Sequence, residues 1–264
     1  MPLALAAALL AGCTLDPVNL DDERPLALRS TLRAADGSLL ARFYKENRSP
    51  VPLRRVSQNL VDAVLAAEDA DFFSHPGYDL KAIARAVVVN VREGEAVQGG
   101  STITQQYVKN TYFRNPPETL ERKARELRLA VEVERVHSKR EILERYLNTV
   151  YLGHGAYGVK AAAETYFRHG VGKMSVREAA LVAGLIKAPS AYNPYLHPKK
   201  ALERRDYVLD RLVETDRLSA EHARRVAKTD LGVLDNPPLL RTRDPYFVDA
   251  VRQEILGDSR LGRS

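Results

Sequence analysis

The adjacent carboxylates Glu68-Asp69 are the first candidates for acid–base chemistry in this sequence. They follow an apolar helical segment that begins near Leu60, and Phe72 and Phe73 come directly after them. A carboxylate beside dry aromatic surface has a raised pKa, which suits a general acid or base near neutral pH. Solvated acids at the end of a helix are common, however, so this stretch alone favours that ordinary explanation.

A run of uncharged polar side chains occupies residues 101–106, directly after two glycines. Thr102 and Gln105 have the spacing of a helix capping box, in which each side chain bonds a backbone N–H near the helix start. Capping does not account for Ser101 or Gln106. Neutral donors and acceptors of this kind suit sugar hydroxyls and acetamides, and a helix start with Lys109 two turns in could hold phosphate oxygens.

A second carboxylate lies among basic residues in the segment 121–134. Arg122 and Lys123 precede Glu126 by four and three positions, so all three share one face of a helix. This could be an ordinary surface ion-pair ladder, worth only tenths of a kcal/mol. It could equally be a cationic patch suited to a leaving pyrophosphate, and the spacing does not separate the two.

The elements that must position these residues are mainly helices. The turn Asp36-Gly37 predicts a β-hairpin within residues 28–53. Apolar periodicity predicts helices from Val56 onward, with a second stripe at 83, 87 and 91. A long helix is predicted over 117–152, with a break near 137–138, and shorter helices over 156–168, 175–187, 198–214 and 219–228.

The bulk composition is that of a globular protein, and its modest basic excess suits an anionic partner, although most of that charge is simply solvated surface. The chain has 264 residues, a formal net charge of +6 and a single cysteine, Cys13, which excludes an internal disulfide. No zinc spacing and no basic run interleaved with aromatics occurs, which argues against nucleic acid. The apolar N-terminus ends in Leu-Ala-Gly-Cys, so residues 1–20 are predicted to be a membrane anchor or a lipoprotein-type signal.

Five sequence blocks occur in one order across about 130 residues. They are EDxxF..H.G (68–77), GGSTITQQxxKN (99–110), RKxxE (122–126), ILERYLNTVYLGHGAYGVKAAAETYF (142–167) and EAALVAGLIKAPSAYNP (178–194). This set resembles the signature of family 51 glycosyltransferases, the peptidoglycan glycosyltransferase modules of class A penicillin-binding proteins and monofunctional transglycosylases.

The resemblance implies a mainly α, lysozyme-like fold, with a cleft between a large lobe and a small, membrane-proximal jaw lobe. It implies polymerisation of lipid II into β-1,4-linked glycan, with inversion and release of polyprenyl diphosphate. Glu68 would be the general base, Asp69 its support, and Glu126 a donor-site residue that organises the diphosphate, with Mg²⁺ or Mn²⁺ left open. The implied substrate contacts are Ser101, Thr102, Gln105, Gln106, Lys109, Asn110, Arg122, Lys123, Asn148 and Tyr157, while the fifth block is expected to pack.

The implied setting is the outer face of the cytoplasmic membrane, with the growing glycan strand and cell-wall synthesis proteins as partners. Residues 21–55 would form a linker and hairpin, 56–215 the catalytic domain, and 216–264 a helical tail resembling the lead-in to a transpeptidase domain. The chain departs from the family pattern at Glu118, where many members carry a basic residue that Arg114 could replace. Two other functions stay open from the sequence: a lysozyme-like lytic enzyme and a catalytically silent assembly scaffold.

Overall fold

The computed structural model describes residues 25–43, 46–79, 100–113 and 119–234, together with residue 20 and six positions between 248 and 255. The predicted anchor lies almost wholly outside the described residues. So do the apolar stripe at 83–91, the positions Arg114 and Glu118, and most of the segment 244–256. No helix within the described ranges is long and apolar enough to cross a membrane.

The predicted N-terminal hairpin is present. Strands β1 (Ser30–Arg33) and β2 (Leu39–Phe43) pair antiparallel, and Gly37 supplies the positive φ of +82° that the turn requires. A second, very short pair joins β3 (Asn47–Arg48) to β4 (Ala156–Tyr157) in parallel. The hairpin is tied to the helical body because Arg29 donates two hydrogen bonds to Glu164, the shorter at 2.6 Å.

Eight α-helices are described, and they confirm the prediction of a mainly α fold. The predicted long helix over 117–152 is two helices, because Ser138 caps a new start in a reciprocal capping box with Glu141. In chain order the helices are α1 (Gln58–Glu68), α2 (Ile103–Tyr112), α3 (Leu120–Val136), α4 (Lys139–Thr149), α5 (Val159–Phe167), α6 (Val176–Leu185), α7 (Pro198–Glu214) and α8 (Ala220–Ala227).

Two helix groups place the candidate residues. Helices α1, α6 and α7 pack closely on one another, and α2 packs against both α3 and α4. Gly184 permits the α6–α7 approach, since a Cβ there would lie 3.0 Å from the Arg204 side chain. Hydrogen bonds from Gln106 to Glu68 and from Ile103 N to Asp69 place the C-terminus of α1 next to α2, and α2 packs next to α3. The smaller lobe implied by the resemblance stays a prediction.

Candidate active site

Glu68 is the last residue of α1, and its carboxylate faces the side chains of α2. Gln106 Nε2 donates to Glu68 Oε2 at 2.8 Å, and Arg204 Nη2 lies 3.9 Å from Glu68 Oε1. Only 11% of the Glu68 side chain is exposed. Burial raises the pKa of this carboxyl, although Gln106, Arg204 and Lys187 act in the opposite direction. A carboxyl with a raised pKa is suited to proton transfer near neutral pH.

Asp69 lies behind Glu68 and fixes the start of α2. Its Oδ2 accepts the backbone N–H of Ile103 at 3.0 Å, and its two oxygens lie 2.9 and 3.1 Å from His75 Nε2. The carboxylate thus satisfies one of the N–H groups that a helix start leaves unpaired, at the positive end of the helix dipole. Asp69 therefore connects the end of α1 to the start of α2, and its support of Glu68 in catalysis stays a prediction.

The start of α2 explains several of the uncharged polar residues of 101–106. Thr102 is the N-cap, and its hydroxyl accepts from Gln105 N and donates to Gly77 O. Thr104 is fully buried and donates to Glu134, so it contributes to packing between α2 and α3. The reciprocal half of the predicted capping box is absent, because Gln105 Oε1 is buried without a hydrogen-bond partner in the described structure.

Glu126 is buried on α3 between two cations. Its Oε1 lies 3.4 Å from Arg122 Nη1 and its Oε2 lies 3.5 Å from Lys123 Nζ. Lys123 also donates to Ser101 Oγ at 2.7 Å, which connects α3 to the start of α2. Burial lowers the pKa of Lys123, while Glu126 acts to raise it. A carboxylate that is 1% exposed is not part of a solvated surface ladder, so that ordinary explanation is wrong for Glu126.

One cavity of about 410 Å³ brings both carboxylates together. Glu68 contributes an acid with a raised pKa, and the region around Glu126 contributes several basic side chains. Nine of the thirteen predicted site residues line the cavity: Glu68, Ser101, Gln105, Gln106, Lys109, Asn110, Arg122, Lys123 and Glu126. The arrangement can deprotonate a hydroxyl at one place and offset negative charge at another.

The other four predicted residues do not line the cavity. Besides Asp69 and Thr102, they are Asn148, whose amide is held by the backbone of Val51 and Glu144, and Tyr157, whose ring lies under the guanidinium of Arg48. These side chains are already engaged within the protein. For Thr102, Asn148 and Tyr157, contact with a substrate stays a prediction.

Five lining residues were not predicted. Val150 and Tyr151 come from the fourth sequence block, and Ile186, Lys187 and Pro189 come from the fifth. The fifth block therefore does more than pack, because its middle, just beyond α6, lines the cavity. Lys187 is the notable omission, and the signal for it was a single basic residue directly after an otherwise apolar helix.

The described residues hold no group of three or more His, Cys, Asp or Glu side chains that could bind a metal ion. Glu126 is the carboxylate nearest to the cationic residues of the cavity. A divalent ion at this place would need further ligands from a bound substrate, since Mg²⁺ commonly uses one or two carboxylates together with phosphate oxygens.

Comparison with known proteins fits this geometry. A model of the Transglycosylase family matches residues 36–213, which is more than half of the chain. The chain belongs to the transglycosylase family. The match confirms the resemblance to family 51 glycosyltransferases that the five sequence blocks indicate.

Several relatives of this transglycosylase chain are penicillin-binding proteins. Penicillin-binding protein 1A of Aquifex aeolicus is 42% identical over 221 residues, covering 84% of this chain and 30% of that protein. Penicillin-binding protein 1A of Haemophilus influenzae is 43% identical over 222 residues, covering 84% and 26%. The crystal structure of the Haemophilus protein matches 94% of this chain and 26% of its own, with a TM-score of 0.50 and 28% identity. The chain thus spans about a quarter to a third of these relatives.

Proposed function

We propose that this transglycosylase chain is a peptidoglycan glycosyltransferase module that polymerises lipid II into glycan strands for the bacterial cell wall. The observation that carries the proposal is the shared cavity, in which Glu68 lies on one wall and Glu126, with its basic neighbours, on another. A lytic enzyme that cleaves finished glycan needs the acid but has no diphosphate to bind. The basic residues around Glu126 therefore favour transfer from a diphosphate-linked donor.

In the proposed reaction, Glu68 accepts the proton of the sugar 4-hydroxyl as its oxygen attacks the anomeric carbon of the growing strand. The bond from that carbon to the diphosphate oxygen breaks, and the electron pair leaves with the polyprenyl diphosphate. Attack opposite to the leaving group inverts the anomeric carbon and yields a β-1,4 link. Lys109, Arg122 and Lys123 would offset the charge that develops on the diphosphate, which is commonly a large contribution to the rate.

The remaining parts of the proposal concern the cofactor and the setting. Glu126 would hold Mg²⁺ or Mn²⁺ together with diphosphate oxygens, and the ion would supply further charge neutralisation. Removing the metal ion with EDTA and then restoring it tests this role of the ion in polymerisation. The module would act at the extracytoplasmic face of the cytoplasmic membrane, anchored through its N-terminus. Its partners would be lipid II, the growing strand and other cell-wall synthesis proteins.

The deciding experiment is incubation of the purified protein with lipid II, followed by separation of the glycan products and NMR of the new linkage. We expect polymer with β-linkages. Glu68→Gln and Glu126→Gln should each lower the rate by about 10²- to 10⁴-fold, the usual contribution of a positioned acid–base or charged group. Glu132 lies on the same helix as Glu126, and among the described residues its carboxylate pairs with Arg135 at the surface. Glu132→Gln is therefore the matched control and should polymerise normally.

Three outcomes would contradict the proposal in different ways. Cleavage of finished glycan without polymer would indicate the lytic enzyme. Absence of turnover in the wild type, with binding to other cell-wall proteins, would indicate the scaffold. Wild-type polymerisation by Glu68→Gln would leave the activity standing but would remove Glu68 as the base.

A further inference from the structure

A chain of three side chains leads from the buried face of α4 to the carboxylate of Glu68. The Tyr146 hydroxyl bonds Gln106 Oε1 at 2.8 Å, and Gln106 Nε2 bonds Glu68 Oε2 at 2.8 Å. Tyr146 is fully buried and does not line the cavity. Its hydrogen bond to Gln106 connects it to the cavity lining.

The direction of these hydrogen bonds follows from the donors and acceptors available. An ionised carboxylate only accepts hydrogen bonds, so Gln106 must present its NH₂ group to ionised Glu68. The carbonyl oxygen of the same amide then faces Tyr146, whose hydroxyl must donate. All three groups are satisfied in this arrangement.

Reversing the direction of both hydrogen bonds would suit a Glu68 carboxyl that is protonated on Oε2. It would, however, leave the Tyr146 hydroxyl without an acceptor for its proton. The amide would turn over, accept from the carboxyl and donate its NH₂ to the phenolic oxygen. The Tyr146 proton would then need a new acceptor, and the described residues offer no other hydrogen bond to this hydroxyl. A buried donor without a partner costs free energy, so Tyr146 favours the first direction.

We propose that Tyr146 is a positioning residue that fixes the Gln106 amide, keeps Glu68 Oε2 as an acceptor and leaves Oε1 as the oxygen that takes the substrate proton. No described side chain donates a hydrogen bond to Oε1, since Arg204 Nη2 is 3.9 Å away and beyond hydrogen-bond distance. The inference rests on the proposed function for the identity of that proton, but the hydrogen-bond chain can be tested without turnover.

The other groups that face Glu68 act through charge and stay in place when Tyr146 is changed. They are Arg204 on α7, Lys187 just beyond α6, and Asp69 at the end of α1. Arg204 and Lys187 favour the ionised carboxyl, and Asp69 disfavours it. Because Tyr146→Phe removes one hydroxyl and none of these charges, it isolates the hydrogen-bond chain.

The experiment is a ¹³C NMR titration of the full chain labelled at the glutamate carboxyl carbon, with Glu68 assigned by its loss in Glu68→Gln. We expect Tyr146→Phe to raise the proton affinity of Glu68 by roughly three- to tenfold, because the reversed amide is no longer penalised. Tyr166→Phe is the matched control. Tyr166 is equally buried, and its hydroxyl donates to the backbone oxygen of Leu152 at 2.7 Å, without a bond to Gln106 or Glu68.

An unchanged Glu68 titration in Tyr146→Phe, or an equal change in Tyr166→Phe, would overturn the inference. If Tyr146→Phe does not fold, Tyr146→Met carries the same test, since it also removes the hydroxyl that bonds Gln106 Oε1. It too should raise the proton affinity of Glu68, and no change would overturn the inference. In the polymerisation assay, the acid limb of kcat/KM should move to higher pH with the NMR titration. A wild type inactive on lipid II would contradict the proposed function while leaving the titration result valid.

Discussion

Replacement of Glu68 by Gln should make the protein more stable at neutral pH while lowering the rate of the proposed polymerisation by about 10²- to 10⁴-fold. The Glu68 side chain is 11% exposed, and burial is the largest cause of its raised pKa. Its ionised form is therefore less favourable in the folded protein than in the unfolded chain. Gln matches Glu in shape, and its side-chain oxygen can accept the same hydrogen bond from Gln106.

The size of the effect follows from two opposing contributions. At the 3.9 Å separation from Arg204, the attraction lost is about 4 kcal/mol at an effective dielectric constant of about 20. The desolvation cost released is several kcal/mol. Because the pKa is raised, desolvation is the larger of the two, and we expect a net gain of about 1 kcal/mol, the size of gain that a single stabilising substitution commonly gives.

The gain should depend on pH with a definite sign. Folded Glu68 binds its proton more tightly than the unfolded chain, whose glutamate has a pKa of about 4.5. The wild type therefore loses free energy of unfolding as the pH rises from about 4.5 through the raised pKa, and the loss stays constant above it. Glu68→Gln lacks this loss, so the two proteins should be nearly equal at pH 4 and differ at pH 7.5.

Urea unfolding at pH 4 and pH 7.5 measures the difference, with equal m-values as the check that both proteins unfold in the same way. Glu164→Gln is the control with the opposite sign. It removes the negative charge beside Arg29 and at least one of the two hydrogen bonds that Arg29 donates, and it should cost about 1 kcal/mol or more at pH 7.5. A Glu68→Gln protein that is less stable than the wild type at pH 7.5, or more stable by the same amount at both pH values, would refute the reasoning.

Three further predictions concern other parts of the chain. Gly153→Ala should destabilise the fold by about 2 kcal/mol or more, as measured by urea unfolding. The reason is that φ at Gly153 is +88° and an added Cβ would lie 2.7 Å from the Tyr166 hydroxyl oxygen. An unchanged free energy of unfolding would contradict this prediction. Glu178 raises the pKa of His169, so their pairing should stabilise the protein below about pH 6.5. This stabilisation should be lost as the pH rises through the raised pKa of His169. His169→Ala should abolish this dependence of the free energy of unfolding on pH. Lys187→Met should slow polymerisation at least tenfold, whereas Lys187→Arg should retain most of the wild-type rate. An equal loss of rate in both variants would argue against a role of Lys187 through its charge.

Much of the local structure could be predicted from the sequence because its causes are local. The Asp36-Gly37 turn, the apolar stripe of α1 and the break before Ser138 each depend on neighbouring residues, and each is present. The five blocks indicated the family for a similar reason, since residue types and their spacing are properties of the sequence itself. The two carboxylates, Glu68 and Glu126, were found in the same way.

What the sequence left open was the partner of each polar side chain. Thr104 and Gln106 both lie on α2, yet one packs against α3 and the other faces Glu68. Helical spacing indicates which residues share a face, but the neighbour of that face is set by how α2 packs between α3 and α4. The burial of Glu126 and the contribution of Lys187 to the cavity depend on packing in the same way. The sequence alone determined the elements and the chemical groups, and the tertiary structure decided which groups meet, because contacts between distant segments are fixed by packing and not by local spacing.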